Sequence, residues 1–164
     1  MAFTYRLVYY ETGQQRRNTM PDNAQAEAQR PKVGIGVMIL KDGKALFGKR
    51  VDSHGAGEWC SPGGHMEYME SFEDCAKRET MEEAGIEIEN VRFLNLINLK
   101  DYPPKHYVHV TLVADWKSGE PNVMEPHKIV EWQWFDIDGP PSPLFATTPK
   151  YFETLKTGKD FWDA

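Results

Sequence analysis

The chain has 164 residues, 40% of them hydrophobic, which suits one domain around a single core and leaves no room for a second. Its formal net charge of -6 argues against a nucleic-acid polymer as partner, although local cations can still receive a small anionic substrate. No stretch reaches the length of a membrane span, no basic and apolar leader opens the chain, and no fixed period recurs, so the expectation is a cytoplasmic protein without membrane association or repeats.

In chain order, residues 3 to 10, FTYRLVYY, alternate β-formers and could add an edge strand or pair across a homodimer. Residues 11 to 31 are polar, with almost no periodic apolar residues, so 1–31 reads as an N-terminal tail and 32–164 as the folded domain. KVGIGVMIL, the turn KDGK and ALFGKR predict a β-hairpin. A Gly-rich loop, HGAG, and a short extended piece, EWCSPGG, lead to a helix over about 72 to 84. Ser71 with Asp74 supplies its N-cap and capping-box acid, and Gly85 its stop. IEIENVRFLNLINL and HYVHVTLVADW follow as strands, the second with Val108, Val110, Leu112 and Ala114 on one face and Tyr107, His109, Thr111 and Val113 on the other. VEWQWFDI is a further strand, and TPKYFETLK, with a proline near its start, a closing helix. Strands, helix, strands, helix favour an α/β fold with a mixed sheet between helices, an α/β/α sandwich.

The first helix carries an anomaly. At about 100° per residue, Phe72, Cys75, Ala76, Glu79 and Glu83 share one stripe, with Glu82 at its edge. A helix buries its apolar stripe, yet the second half of this one is carboxylate, and ionised carboxylates leaving water cost several kcal/mol each unless a cation compensates. Arg78, four residues after Asp74 and four before Glu82, sits on the flank and cannot neutralise three glutamates alone. The remaining candidate is a bound divalent metal. An oxygen-only donor set suits Mg²⁺ or Mn²⁺, whereas zinc would favour His and Cys. Against this stands the ordinary reading of a glutamate-rich helix as a solvated face.

Gly64, Glu70, Arg78, Glu79, Glu82, Glu83, Gly85 and Ile86 stand in the register Gly, five residues, Glu, seven residues, Arg-Glu, any two, Glu-Glu, any one, Gly, apolar. That register resembles the Nudix box, the signature of the Nudix hydrolases; Thr80 occupies a position where the family usually has an aliphatic residue. GKR, GAG, PGGH, HYVHVT and EWQWF extend the resemblance over most of residues 33 to 155, toward the MutT-like nucleoside triphosphate diphosphatases. The resemblance implies the α/β/α sandwich over about 32 to 158. It makes Glu79 and Glu83 metal ligands, with Glu82 completing the site or holding a second ion and the Gly63 carbonyl as a further ligand. One of these glutamates would orient or deprotonate the attacking water. It also implies that Arg78 is a structural cation partnered by Glu70, that Arg50 stands at the phosphate mouth, and that a base pocket lies between the strand holding Thr111 and the loop PPSPLFATTP. That loop differs from the branch, so the base stays open.

Other residues have plainer readings. His54 and His65 lie in Gly-rich loops, where a lone histidine is usually solvated; His65 abuts the box and is kept as a substrate-binding candidate. Trp59, Trp132 and Trp134 read as core or rim packing, and Cys75 as core filling. Three function classes follow: Mg²⁺-dependent cleavage of a nucleoside triphosphate to monophosphate and pyrophosphate, hydrolysis of a nucleotide sugar or other nucleoside diphosphate derivative, and a non-enzymatic nucleotide-binding module.

Overall fold

A computed structural model describes residues 30–51 and 55–163; the edge strand expected at 3 to 10 and the reading of His54 lie outside the described residues. The predicted hairpin is β1 (Lys32–Lys41) and β2 (Lys44–Arg50), paired Leu40 to Ala45 and Lys41 to Lys44. Asp42 and Gly43 both take positive φ, 50° and 77°, the conformation a two-residue hairpin turn needs and an Asp-Gly pair adopts readily. Two short strands follow, β3 (Trp59–Cys60) and β4 (Gly63–His65), then the helix α1 (Phe72–Ala84). The long strands β5 (Glu87–Tyr102), β6 (Lys105–Ser118) and β7 (Ile129–Asp136) lead to α2 (Thr148–Thr157). A strand the sequence reading lacks, β8 (Phe161–Asp163), closes the described chain; three residues are too few to show a period.

The strands form one mixed sheet in the order β3-β2-β1-β6-β5-β8, with β4 also on β1 and β7 also on β2. β1 and β6 run parallel, with Gly34 beside His109 and Gly36 beside Thr111. Residues 34–39 of β1 are buried without interruption, the mark of a central strand covered on both faces. On one face Ile35, Val37 and Ile39 pack with Val110, Leu112 and Ala114 under Cys75, Ala76 and Ala84 of α1. On the other, Met38, Phe47, Ile97 and Trp162 pack around Tyr151 of α2. The sheet therefore lies between helices, as expected, and both faces of β6 point inward. No helix among the described residues is long and apolar enough to cross a membrane.

The helix signals act as read. Ser71 Oγ accepts from the Asp74 amide at 3.1 Å and donates to the Asp74 carboxylate at 2.6 Å, and Gly85 ends the helix at φ 68° with its N–H on the Met81 carbonyl. Phe72 departs from the stripe: it is 48% exposed, and burial on the helix begins only at Cys75. Thr80 is fully buried, as its aliphatic role requires, but among the described residues its hydroxyl finds no partner, which costs about 1–3 kcal/mol relative to a valine.

Candidate active site

Two carboxylates of α1 are buried, and hydrogen bonds tie them into a network. Glu79 and Glu83 are both 9% exposed. Arg78 grips Glu70 through two bonds, Nε to Oε1 at 2.8 Å and Nη2 to Oε2 at 3.0 Å, and its Nη1 reaches Glu79 at 2.9 Å and Glu82 at 3.2 Å. Its Nη2 also donates to the His65 carbonyl at 3.2 Å, tying α1 to β4. This two-pronged grip holds the Glu70 carboxyl down to about 2. Glu83 is held differently. The Gly63 amide donates to its Oε2 at 2.9 Å, and its own backbone carbonyl accepts from Trp132 Nε1 at 3.1 Å. Burial lifts the Glu83 carboxyl to about 7; the Gly63 amide opposes that rise and the charge on Glu79 adds to it. Gly64 leaves the room for Glu79, since a Cβ there would run into its carboxylate. Cys75 is core filling, its thiol pushed up to about 12 by burial and so unreactive.

The donor set fits a hard divalent cation. Glu79, Glu82 and Glu83 offer carboxylate oxygens alone on adjacent turns, two of them shielded from water. Among the described residues no three His, Cys, Asp or Glu side chains already converge as a cage. The reason is visible in the network: Arg78 draws Glu79 and Glu82 to its own side while the Gly63 amide holds Glu83. Mg²⁺ does not need a full cage, because it retains waters and takes one or two carboxylates with substrate phosphates. Gly63 enters the site through its amide, the group that aims Glu83.

A cavity of about 310 Å³ opens beside these carboxylates and reaches both faces of the sheet around the start of β1. Glu83, Gly63, Gly64 and His65 line its α1 side. His65 stacks at a tilt on Tyr107, ring centroids 5.7 Å apart, and burial followed by the charge of Lys32 lowers its pKa. Arg50 lines the cavity as expected, but it is not waiting for substrate alone: its guanidinium lies 4.2 Å from the Phe145 ring centre and Nη1 stands 3.9 Å from Cys60 Sγ. Lys105 and Lys128 add two cations that the sequence reading passed over, the second paired with Glu125 at 2.7 Å.

On the α2 side, Thr111 does not line the cavity. It is fully buried beneath it, since its partner on β1 is Gly36 and Tyr151 covers the gap. The residues of that face of β6 that do reach the cavity are Lys105, Tyr107 and His109, the last of them two positions before Thr111 and set beside Tyr151, Thr147 and Phe145. The loop before α2 thus forms part of the wall, as anticipated, with a different strand residue opposite it. The alternation of β6 marked His109 as facing that side, but nothing local distinguished it from Thr111.

A family model described as the NUDIX domain matches residues 30–155. The oxidized purine nucleoside triphosphate hydrolase of Danio rerio is 30% identical over 130 residues, 76% of this chain and 80% of that protein. The NAD-capped RNA hydrolase NudC of Chromobacterium violaceum is 29% identical over 118 residues, 70% of this chain and 43% of that protein. Among solved structures, the MutT NUDIX hydrolase from Burkholderia pseudomallei has a TM-score of 0.72 at 35% identity, covering 77% of this chain and 98% of that one.

Proposed function

The chain belongs to the Nudix hydrolase family, and from that premise we propose that it hydrolyses a nucleoside triphosphate to the monophosphate and pyrophosphate with Mg²⁺ or Mn²⁺. The observation that carries this reading is that one cavity joins the Glu79–Glu83 helix to a wall of aromatic and histidine side chains, with Arg50, Lys105 and Lys128 in its lining. The volume is in the range of a small-molecule pocket, and a base-sized group fits against the rings while the polyphosphate meets cations and carboxylates. The resemblance to a relative named for oxidized purine nucleoside triphosphates supports the same substrate class.

The mechanism divides among residues already described. A bound divalent cation would neutralise phosphoryl charge and supply an activated water. Glu79 and Glu83 would hold it and Glu82 would complete the set, while Arg78, gripped by Glu70, keeps Glu79 and Glu82 close at hand on one side of the helix. Water adds to a phosphorus, a P–O–P bond breaks, the bridging oxygen leaves on the departing phosphate, and the proton of the water passes to a carboxylate of the set. Arg50 and Lys128 take the phosphate charge that the acidic chain as a whole would repel.

The test is turnover of a panel with Mg²⁺, with Mn²⁺ and with chelator: nucleoside triphosphates, nucleotide sugars and a dinucleotide. Metal-dependent turnover led by a triphosphate supports the reading. Turnover confined to nucleotide sugars or dinucleotides would replace it with the diphosphate-derivative class.

A further inference from the structure

We propose that His109 reads the nucleobase by donating its Nδ1–H to a carbonyl oxygen on the base edge, and that Tyr151 is the positioning residue that fixes this tautomer. The proposal rests on the triphosphate reading above and deepens it, naming the substrates as oxo-bearing bases.

The pair occupies a built space. Position 109 falls on the face of β6 turned toward α2, where the neighbouring Thr111 is fully buried. Its neighbours on β1 are Gly34 and, two pairs further, Gly36. A Cβ on Gly36 would run into the Tyr151 hydroxyl and stand 2.7 Å from His109 Nε2, so the glycine is what admits both rings. The two rings lie nearly parallel, 13° apart, and Nε2 meets the Tyr151 oxygen at 2.9 Å.

The hydroxyls around Tyr151 decide where its proton goes. Ser61 Oγ and Thr147 Oγ1 each stand 3.4 Å from the phenol oxygen, and the Thr111 hydroxyl lies near it outside hydrogen-bonding geometry. Thr147 is the N-cap residue of α2 yet makes no capping bond, a contact usually worth about 1 kcal/mol; its hydroxyl faces Tyr151 instead. A phenol has one proton to give and two lone pairs to fill. Its short bond is to His109, and the longer ones come from hydroxyls that can donate to it. Burial keeps the phenol protonated and keeps the imidazole neutral, with the His109 pKa lowered to about 4. Nε2 therefore accepts from Tyr151, and the single imidazole proton sits on Nδ1.

Nδ1 lies on the Gly34 side of the ring. It lies 3.4 Å from where a Cβ on Gly34 would stand, both residues line the cavity, and among the described residues it makes no hydrogen bond. A neutral N–H donor in such a wall pairs with a carbonyl oxygen and leaves an exocyclic amino group facing another donor. The discrimination comes from that unpaired donor.

Two readouts test this. In ¹⁵N NMR of the parent protein, His109 should show a protonated Nδ1 and an unprotonated Nε2, and Tyr151→Phe should shift it toward the other tautomer; a protonated Nε2 in the parent overturns the proposal without reference to activity. In kinetics, kcat/KM is compared within pairs of triphosphates differing at one carbonyl: inosine against adenosine, uridine against cytidine, and 8-oxoguanosine against guanosine. The parent should favour the carbonyl member of at least one pair about tenfold or more. His109→Gln, which keeps an amide near Nε2 and loses the Nδ1 donor, should reduce that ratio to within about twofold. His109→Asn, which keeps a donor near Nδ1, should retain most of it. An unchanged ratio in His109→Gln, or a parent preference for amino members, overturns the proposal. No turnover of any triphosphate by the parent would instead sink the functional reading, and the NMR result would still decide the tautomer.

Discussion

On its α1 side the cavity is lined by His65 and Glu83, and the ionisable groups beside them, Glu70, Arg78, Glu79 and Glu82, come from the same stretch, 64 to 86, and meet through ion pairs. On its α2 side it is walled by Gly36, Ser61, His109, Thr147 and Tyr151, drawn from separate strands, a loop and the last helix, that meet through neutral hydrogen bonds. The first arrangement needs one helix and the short stretch just before it, and its groups are adjustable at their tips. The second exists only once β1, β6 and α2 have closed, and its groups are wedged. Substitutions on the α1 side should therefore lower the rate for every substrate, and those on the α2 side should alter stability and the choice of base.

Metal removal should have the largest effect and the least selective one. Chelator is expected to abolish turnover of every triphosphate, while circular dichroism and Tm of the protein stay near their starting values. Residual activity that favours one base in chelator would break the division.

Adding one methyl group on each side gives the sharpest contrast. Gly64→Ala drives a Cβ into the Glu79 carboxylate, a flexible end that can move, so turnover should fall by roughly a hundredfold with little loss of stability. Gly36→Ala drives it into the hydroxyl of Tyr151, held in the core, and the His109 ring beside it, so stability should fall by about 1–3 kcal/mol. Denaturant melts and kcat measured side by side check the pair; the reversed pattern would mean that the two sides have been assigned backwards.

Arg78→Lys keeps the charge and loses the fork that holds Glu70, Glu79 and Glu82 together. An approximately tenfold fall in kcat, equal for all bases, is expected. A fall limited to some bases would tie the arginine to the α2 side.

The smallest effect is a pH slope. Burial lowers His109 from 6.5 to about 4, so between those values the unfolded chain binds a proton that the folded one does not. The stability is fully present above the unfolded value and is lost as pH falls toward the folded one, about 1 kcal/mol between roughly pH 7 and 5.5. His109→Gln should show a correspondingly shallower slope in urea melts; identical slopes would mean that the ring titrates normally.

The same contrast explains what was legible in the sequence. The α1 side could be read because helical spacing turns sequence distance into spatial distance: carboxylates at 79, 82 and 83 with Arg78 and Glu70 can only gather near one place. The sandwich followed from strand alternation and the caps at Ser71 and Gly85. The α2 side was not legible, because no spacing rule links 36, 61, 109, 147 and 151. Their meeting depends on β1 pairing parallel with β6, a register that alternation leaves free by steps of two. That freedom is the gap between Thr111, nominated by resemblance, and His109, which lines the cavity. Phe72 was misplaced for a related reason, since periodicity gives the direction of a side chain and not whether anything packs against it.

The central claim is that carboxylates on one buried helix face split a nucleoside triphosphate. It is tested most directly by identifying the products formed from the preferred triphosphate with Mg²⁺, by the parent and by Glu83→Gln in parallel. The parent should release monophosphate and pyrophosphate in equal amounts. Glu83→Gln, still folded, should release them at least roughly a hundredfold more slowly. Diphosphate and inorganic phosphate as products, or a Glu83→Gln protein as fast as the parent, would contradict it.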